Sequence, residues 1–156
     1  MALVVIGGVA AGLSAASRAR RVDPQLEIVV LEKGPVISYG ACGLPYFVEG
    51  RIRDASGLIV YTPEYFRKER NIDVRTGARV VAISHPRREV TLESGARVRY
   101  EHLVISTGGR CDTRGTAGLP PNVFTLHTVD DATRLRGFLR EKQPRKGCLL
   151  YTSRCV

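Results

Sequence analysis

The sequence predicts an α/β domain built on a parallel sheet, and its 156 residues suffice for one such domain with a hydrophobic core. Three observations predict this fold class: an early buried strand that ends in glycines, a helix that begins directly after them, and a second buried strand within about thirty residues. Strand, helix and strand at this spacing form a βαβ unit, in which the strands are parallel and the crossover is right-handed.

The first three elements follow from local residue types. The segment "ALVVIGG" predicts a buried strand that breaks at glycine, and "AAGLSAASRARRV" predicts a helix of small and long-chain residues. Pro24 prevents this helix from extending further. The segment "LEIVVLEK" then predicts the second buried strand.

The middle of the chain has a different pattern. "YTPEYFRKER" predicts a helix that Thr62 caps, with Pro63 in its first turn. Turn signals then separate short strand-like segments, and we expect these segments to form a small antiparallel β meander inserted into the βα fold. The segments are "IDVRT", "ARVVAIS", "REVTLES" and "ARVRY".

The last part predicts one more strand and one more helix. "HLVIST" is a buried strand that ends at Gly108 and Gly109, and a connection rich in glycine and proline follows. "TVDDATRLRGFLRE" is a helix with Thr128 as its N-cap and two aspartates near its positive end.

The final segment, "CLLYTSRCV" at residues 148–156, is unusual. One back-translation of it, together with a following stop codon TAA, equals its own reverse complement from TTATAC onward and resembles two transposon end sequences joined head to head. We therefore expect residues 148–156 to be a translated sequencing adapter, and residues 1–147 to be the native domain. The alternative is an ordinary strand.

Composition narrows the classes of function. The net charge of +9 is spread along the chain, which fits a solvated basic surface or a surface that holds a small polyanion. We expect no nucleic-acid partner, because no aromatic-plus-basic motif is present. We expect no membrane segment and no metal site, because long apolar runs and histidine ligand spacing are missing. Without a basic leader the chain is expected in the cytoplasm, where cysteines stay reduced.

The first glycine-rich turn predicts a nucleotide site. Compared with G-x-G-x-x-G, the first and third glycines are Gly7 and Gly12, and Val9 replaces the middle one. Glu32 lies twenty residues after Gly12, at the end of the second strand. Such glycines let the backbone approach a pyrophosphate, the helix N-terminus offers N–H groups, and the carboxylate accepts from ribose hydroxyls. The turn alone does not choose between FAD and NAD, and the glycines could serve helix–strand packing only.

The stretch "SYGACGLPYF" places Cys42 where a short apolar helix would begin. Such a cysteine is either a reactive thiolate or a small apolar filler. Position 37, where a C-x₄-C partner would stand, is Ile37, and we assign no role to Cys111. A redox cycle would therefore use Cys42 with an external thiol or through a sulfenic acid.

Four blocks of the chain carry a family resemblance: "VVIGGVAAGLSAASRARR", "LEKGPVISYGACGLPYFVEG", "YTPEYFRKERNIDVRTGARV" and "YEHLVISTGGR". They resemble the N-terminal part of the coenzyme A disulfide reductase and NADH oxidase group, the single-cysteine pyridine nucleotide–disulfide oxidoreductases. The resemblance implies a three-layer, Rossmann-like FAD-binding domain. It also implies that an NAD(P)H-binding domain and a dimerisation domain are missing here, so that a homodimer is expected only of the full-length enzyme.

The resemblance also implies roles for individual residues. Cys42 would be the redox-active nucleophile beside the flavin. The residues that would hold FAD are Gly7, Gly8, Val9, Ala10, Ala11, Gly12, Glu32, Lys33, Val80, Thr107 and Gly108. Those that would bind the substrate, coenzyme A or a related small disulfide, are Ser14, Arg18, Arg21, Ser38, Ala41 and Arg70. Helical spacing independently puts Ser14, Arg18 and Arg21 on one face of the first helix.

Two departures from the family pattern bear on the substrate and on the last strand. Ala41 stands where the coenzyme A reductases often carry asparagine, and Gly109 with Arg110 replaces a more usual Ala-x-Pro. We expect an FAD-dependent NAD(P)H:disulfide oxidoreductase that reduces coenzyme A disulfide or a related persulfide, with this fragment inactive alone. The alternatives are an NADH oxidase or peroxidase that uses a cysteine sulfenic acid, and a non-catalytic FAD-binding module.

Overall fold

A computed structural model describes residues 2–111 and 120–149. The elements follow in the order β1 (Ala2–Ile6), α1 (Ala10–Val22), β2 (Glu27–Leu31), α2 (Leu44–Glu49), α3 (Pro63–Arg70), β3 (Asp73–Arg75), β4 (Val80–Ser84), β5 (Glu89–Leu92), β6 (Arg97–Arg99), β7 (His102–Ile105) and α4 (Val129–Lys142). Two short 3-10 turns span Ala41–Gly43 and Ala55–Leu58.

Three layers form the fold, as the sequence predicts. The central layer is a parallel sheet with the strand order β3-β2-β1-β7. Because side chains alternate along a strand, one half of each strand's apolar residues faces the helices α1 and α3, and the other half faces the antiparallel sheet β4-β5-β6. Val5 packs in the helix layer, for example, and its neighbour Val4 packs against the meander; both are fully buried.

One strand was predicted in the wrong sheet. The segment "IDVRT" was expected in the meander, but β3 pairs in parallel with β2, with Val74 opposite Val30. Ile72 and Val74 are buried with the helix layer, and among residues 2–111 and 120–149 the meander consists of β4, β5 and β6. A three-residue strand satisfies the apolar alternation of either sheet, so its partner is decided by contacts far away in sequence.

The helix ends confirm two predicted caps. Thr62 Oγ1 accepts the N–H of Tyr65 at 3.3 Å at the start of α3. At the start of α4, Thr128 Oγ1 accepts the Asp131 N–H and the Asp131 carboxylate accepts the Thr128 N–H, which is a capping box. These local bonds satisfy N–H groups that have no partner inside the helix.

Helix α4 packs against α2, the short helix that follows Cys42. Ala132 of α4 is buried in a cluster with Leu44 and Phe47 of α2. The Arg136 guanidinium, which is also buried, lies 4.4 Å from the Phe47 ring centroid and donates to the carbonyls of Ile52 and Arg53. The C-terminal helix therefore fixes the segment that carries the cysteine.

The predicted adapter segment stays a prediction. Residues 150–156 and part of the glycine- and proline-rich connection, residues 112–119, lie outside the described ranges. Within those ranges, no helix has both the length and the apolar character that a membrane span requires.

Candidate dinucleotide and thiol site

The carboxyl ends of β1 and β7 lie side by side at the point where the strand order reverses, and we refer to this edge of the sheet as the cleft. From β1 the chain crosses over through α1 to β2 on one side, whereas β7 pairs with β1 on the other. Open parallel sheets bind ligands at this switch point. Ser106, which follows β7, donates its hydroxyl to the carbonyls of Ile6 at 2.8 Å and Gly7 at 3.3 Å. The turns after β1 and β7 are thereby joined.

The glycine turn after β1 has no room for larger side chains. Gly7 has a φ of +107°, and a Cβ built there would overlap the Ser106 carbonyl. A Cβ built on Gly12 would overlap the Gly7 carbonyl oxygen. Val9, the N-cap of α1, makes no side-chain cap hydrogen bond. The closely packed turn thus presents the positive end of a thirteen-residue helix to the cleft.

Glu32 lies beneath this turn at the end of β2. Only 8 % of its surface is exposed, and its Oε2 accepts the Gly8 N–H at 2.7 Å while its Oε1 accepts the Gly34 N–H at 2.8 Å. A carboxylate has about four lone-pair sites, so both oxygens keep the capacity to accept from a ligand. The carbonyl of Glu32 accepts the N–H of Ala78 at 2.8 Å.

The other residues predicted for the cofactor follow β2 and β7 or begin β4. Lys33 is exposed directly after Glu32. Val80 is half-buried at the start of β4, two residues beyond the Ala78 contact. Thr107 and Gly108 are exposed directly after Ser106. The fold therefore brings the carboxyl ends of three strands and the first residue of the meander to one edge of the sheet.

Cys42 lies in the 3-10 turn that precedes α2, and its side chain is exposed. Exposure contradicts the alternative of a buried apolar filler. The loop before it is attached at both ends: the Ser38 N–H donates to the Gly8 carbonyl at 3.1 Å, and the Gly40 N–H donates to the Leu58 carbonyl at 2.8 Å. Four Cα–Cα steps lead from Ser38 to Cys42, so the Cα of the cysteine lies at most about 15 Å from that of Ser38, which contacts the glycine turn.

Tyr39, which the sequence analysis did not single out, is held in the same loop. It forms an isolated antiparallel bridge with Ile59 and packs in the apolar cluster beneath α4. Burial raises the pKa of Tyr39, and the charges of Glu32 and Asp131 raise it further. The phenol therefore keeps its proton and remains a hydrogen-bond donor.

A groove of about 260 Å³ runs between α1 and the segment that leads into α3. Ser14, Arg21 and Ser38, three of the six predicted substrate residues, are in its lining. Arg18, Ala41 and Arg70 lie outside the lining that the described residues form. The remaining lining residues are Val9, Ala10, Leu13, Ser17, Tyr61 and Phe66.

An aromatic stack continues the wall of the groove outward. The rings of Tyr61 and Tyr65 stack with centroids 4.4 Å apart, and the Arg70 guanidinium lies 5.9 Å from the Tyr65 centroid. A hydrogen bond between Arg70 Nη2 and the Tyr65 hydroxyl, 3.4 Å long, raises the pKa of Arg70. Sequence reasoning missed Tyr61 because it precedes a helix and belongs to no helical face. Ser17 could have been found, because it is spaced three and four residues from Ser14 and Arg21.

The chain is similar to proteins of known name along nearly its whole length. It is 30% identical to an NADH oxidase of Methanocaldococcus jannaschii, and the match covers 94% of this chain and 34% of the relative. It is 32% identical to a coenzyme A disulfide reductase of Staphylococcus aureus over 92% of this chain and 34% of that protein. The chain thus spans about a third of the length of these curated relatives.

Solved structures show the same fold. The reduced CoADR-RHD protein of Bacillus anthracis superposes with a TM-score of 0.83 and 34% identity, over 92% of this chain and 27% of that one. An NAD-dependent persulfide reductase from A. fulgidus superposes with a TM-score of 0.82 and 36% identity, over 90% of this chain and 28% of that one.

The model of one protein family, described as pyridine nucleotide-disulphide oxidoreductase, matches residues 1–146. This range includes the glycine turn, Glu32, Cys42 and the groove. A match over more than nine-tenths of the chain establishes that the chain belongs to the pyridine nucleotide-disulphide oxidoreductase family.

Proposed function

We propose that the chain is the FAD-binding part, residues 1–147, of an NAD(P)H-dependent oxidoreductase that reduces coenzyme A disulfide or a related persulfide through Cys42. The observation that carries this proposal is the exposed Cys42 on the loop of Ser38, which bonds to the glycine turn and lines a groove that also contains Arg21. The names of several relatives, coenzyme A disulfide reductase and persulfide reductase, support it.

The cleft fits a dinucleotide such as FAD. A Cβ on Gly8 would crowd the Glu32 side chain and one on Gly12 would overlap the Gly7 carbonyl oxygen, so these glycines let the turn pack closely. The start of α1 offers N–H groups, and Glu32 keeps lone pairs for ribose hydroxyls. FAD, when bound, supplies the two-electron chemistry that connects NAD(P)H with the cysteine. The residues that would hold it are Gly7, Gly8, Val9, Ala10, Ala11, Gly12, Glu32, Lys33, Val80, Thr107 and Gly108.

Cys42 supplies the covalent chemistry of this chain. Its thiolate attacks one sulfur of coenzyme A disulfide, a Cys42–coenzyme A mixed disulfide forms, and one coenzyme A leaves as a thiolate. Two electrons, originally from NAD(P)H, and one proton then release the second coenzyme A as a thiol and restore the Cys42 thiolate. No second cysteine of this chain is needed for this cycle, which agrees with Ile37 at the position of a C-x₄-C partner.

The groove supports a nucleotide-bearing thiol as substrate. Ser14 and Arg21 lie on its α1 side, where the guanidinium can pair with phosphate oxygens. Apolar and aromatic residues, Leu13, Tyr61 and Phe66, line the rest and suit the pantetheine arm. Arg18 and Arg70, outside the groove lining, are further substrate residues that this proposal includes, and Ala41 directly precedes Cys42.

The second candidate is an NADH oxidase or peroxidase. An exposed lone thiol can cycle through a sulfenic acid, and one relative bears the name NADH oxidase. The third is a non-catalytic FAD-binding module, for which Cys42 would stay free and unreactive.

The test uses the complete reading frame that contains this chain. Cys42→Ser should abolish NAD(P)H-dependent reduction of coenzyme A disulfide while FAD stays bound, and Cys111→Ser, a matched change at a second exposed cysteine, should have no effect. Mass spectrometry should find coenzyme A attached to Cys42 in wild-type protein. Reduction of coenzyme A disulfide that survives in Cys42→Ser would refute the proposal. If the wild type reduces peroxide but not coenzyme A disulfide, and Cys42→Ser loses the peroxide reduction, the result would favour the peroxidase.

A further inference from the structure

Arg20 joins the C-terminal ends of α1 and α3. Its Nε donates to the Arg70 carbonyl at 3.1 Å and its Nη2 donates to the Asn71 carbonyl at 2.7 Å, both at the end of α3. Its Nη1 donates to the Pro24 carbonyl at 2.6 Å, with a longer contact of 3.5 Å to the carbonyl of Asp23, just after α1. One side chain therefore binds carbonyls of two separate elements.

These two elements carry the two walls of the groove. One wall consists of Ser14, Ser17 and Arg21 on α1. The other wall consists of Tyr61, just before α3, and Phe66 within α3. The backbone of Arg70, which Arg20 holds, belongs to the residue whose guanidinium lies over Tyr65, and Tyr65 stacks on Tyr61. Fixing the end of α3 therefore fixes the aromatic wall relative to α1.

The guanidinium nitrogens of Arg20 form hydrogen bonds with these carbonyls. A guanidinium has five N–H donors, and the contacts to the Asp23, Pro24, Arg70 and Asn71 carbonyls engage all three nitrogens. The positive charge also lies at the negative ends of two helix dipoles, where it is stabilising. Arg20 thus differs from its neighbour Arg21, which lines the groove.

We propose that Arg20 is a positioning residue: it sets the separation of the two groove walls and thereby the affinity for a coenzyme A-type ligand, without contacting the ligand. The proposal rests on the proposed function for the identity of the ligand. Its geometric part, that Arg20 holds α3 against the end of α1, does not depend on any ligand.

The experiment compares Arg20→Gln and Arg20→Lys in the complete reading frame, with coenzyme A as the probe in calorimetric titration. We expect both variants to raise the Kd for coenzyme A about tenfold, which is the size of effect that the loss of one charge-assisted hydrogen-bonding group has. The Kd for FAD should stay unchanged. Lysine should not rescue, because one ammonium cannot span carbonyls that a planar guanidinium reaches in a fixed fork.

The control is Val98→Ala in the meander, which packs against the opposite face of the sheet and should lower stability without changing the Kd for coenzyme A. Amide hydrogen exchange of α3 should accelerate in Arg20→Gln relative to both wild type and Val98→Ala. An unchanged Kd in Arg20→Gln, or an equal rise in Val98→Ala, would overturn the proposal. Wild-type protein that does not bind coenzyme A would instead contradict the proposed function, and with it the ligand assigned to Arg20.

Discussion

Replacing Glu32 by glutamine tests the most tightly bonded side chain of the cleft. Glutamine keeps the size of the side chain but has one acceptor oxygen instead of two. Its oxygen can still accept from the buried Gly8 N–H, and its NH₂ group then faces the partly buried Gly34 N–H, which loses its acceptor. Glu32→Ala removes both acceptors and leaves the Gly8 N–H buried without a partner.

The size of the effect follows from these two bonds. A hydrogen bond to a charged group contributes about 1.5–3 kcal/mol, and a buried donor without a partner costs about 1–3 kcal/mol. Because water can reach the Gly34 side, we expect Glu32→Gln to lower the free energy of unfolding by about 2 kcal/mol and Glu32→Ala by about 4 kcal/mol. For a chain of this size, 2 kcal/mol corresponds to a fall in Tm of about 4–8 °C.

Urea and thermal unfolding, followed by circular dichroism, measure both changes. The matched control is Glu27→Gln at the exposed start of the same strand, which should change the free energy by less than about 0.5 kcal/mol. If Glu32→Gln were as stable as Glu27→Gln, the two N–H bonds would not stabilise the turn, and the reasoning would be refuted.

Three further predictions concern other parts of the site. Gly12→Ala should abolish FAD binding, because the added Cβ would overlap the Gly7 carbonyl oxygen; unimpaired fluorescence quenching of added FAD would contradict this. Tyr61→Ala should raise the Kd for coenzyme A about tenfold, because it removes an aromatic wall of the groove. Tyr46 is exposed and outside the groove lining, so Tyr46→Ala should leave this Kd unchanged. Equal effects of the two variants in calorimetry would contradict the groove as the binding site for coenzyme A. Burial raises the pKa of Asp131, but hydrogen bonds from Thr128 and from the backbone of His127 together lower it by more. The pKa of Asp131 therefore lies below its ordinary value. The resulting stabilisation is present above the ordinary pKa and is lost as the pH falls through the folded-state pKa; Asp131→Asn should therefore flatten the fall in unfolding free energy between about pH 5 and pH 2, and an unchanged pH profile would contradict the assignment.

Local chemistry was sufficient to predict most elements. The buried runs of β1 and β2 are bounded by glycine and by Pro24, and Thr62 and Thr128 mark helix starts by their own hydrogen bonds. The glycine turn and Glu32 were also predicted as a pair, because a βαβ unit brings the carboxyl ends of adjacent parallel strands together.

What the sequence could not predict depends on contacts between distant residues. Val74 pairs with Val30, and nothing within β3 itself identifies that partner. The exposure of Cys42, which excludes a buried apolar filler, is a property of tertiary packing. Helical spacing separates Arg20 from the face of Ser14 and Arg21, but it cannot identify the end of α3 as the partner of Arg20.

The hydroxyl of Ser106 completes a turn that begins one hundred residues earlier in the chain. A nascent polypeptide shorter than this point contains the whole fingerprint, Gly7 through Glu32, yet lacks the strand that closes it. Excision of the βαβ unit as a peptide should therefore not yield a nucleotide-binding module. We therefore expect the chain to bind its cofactor only after β7 has been synthesised and has paired with β1.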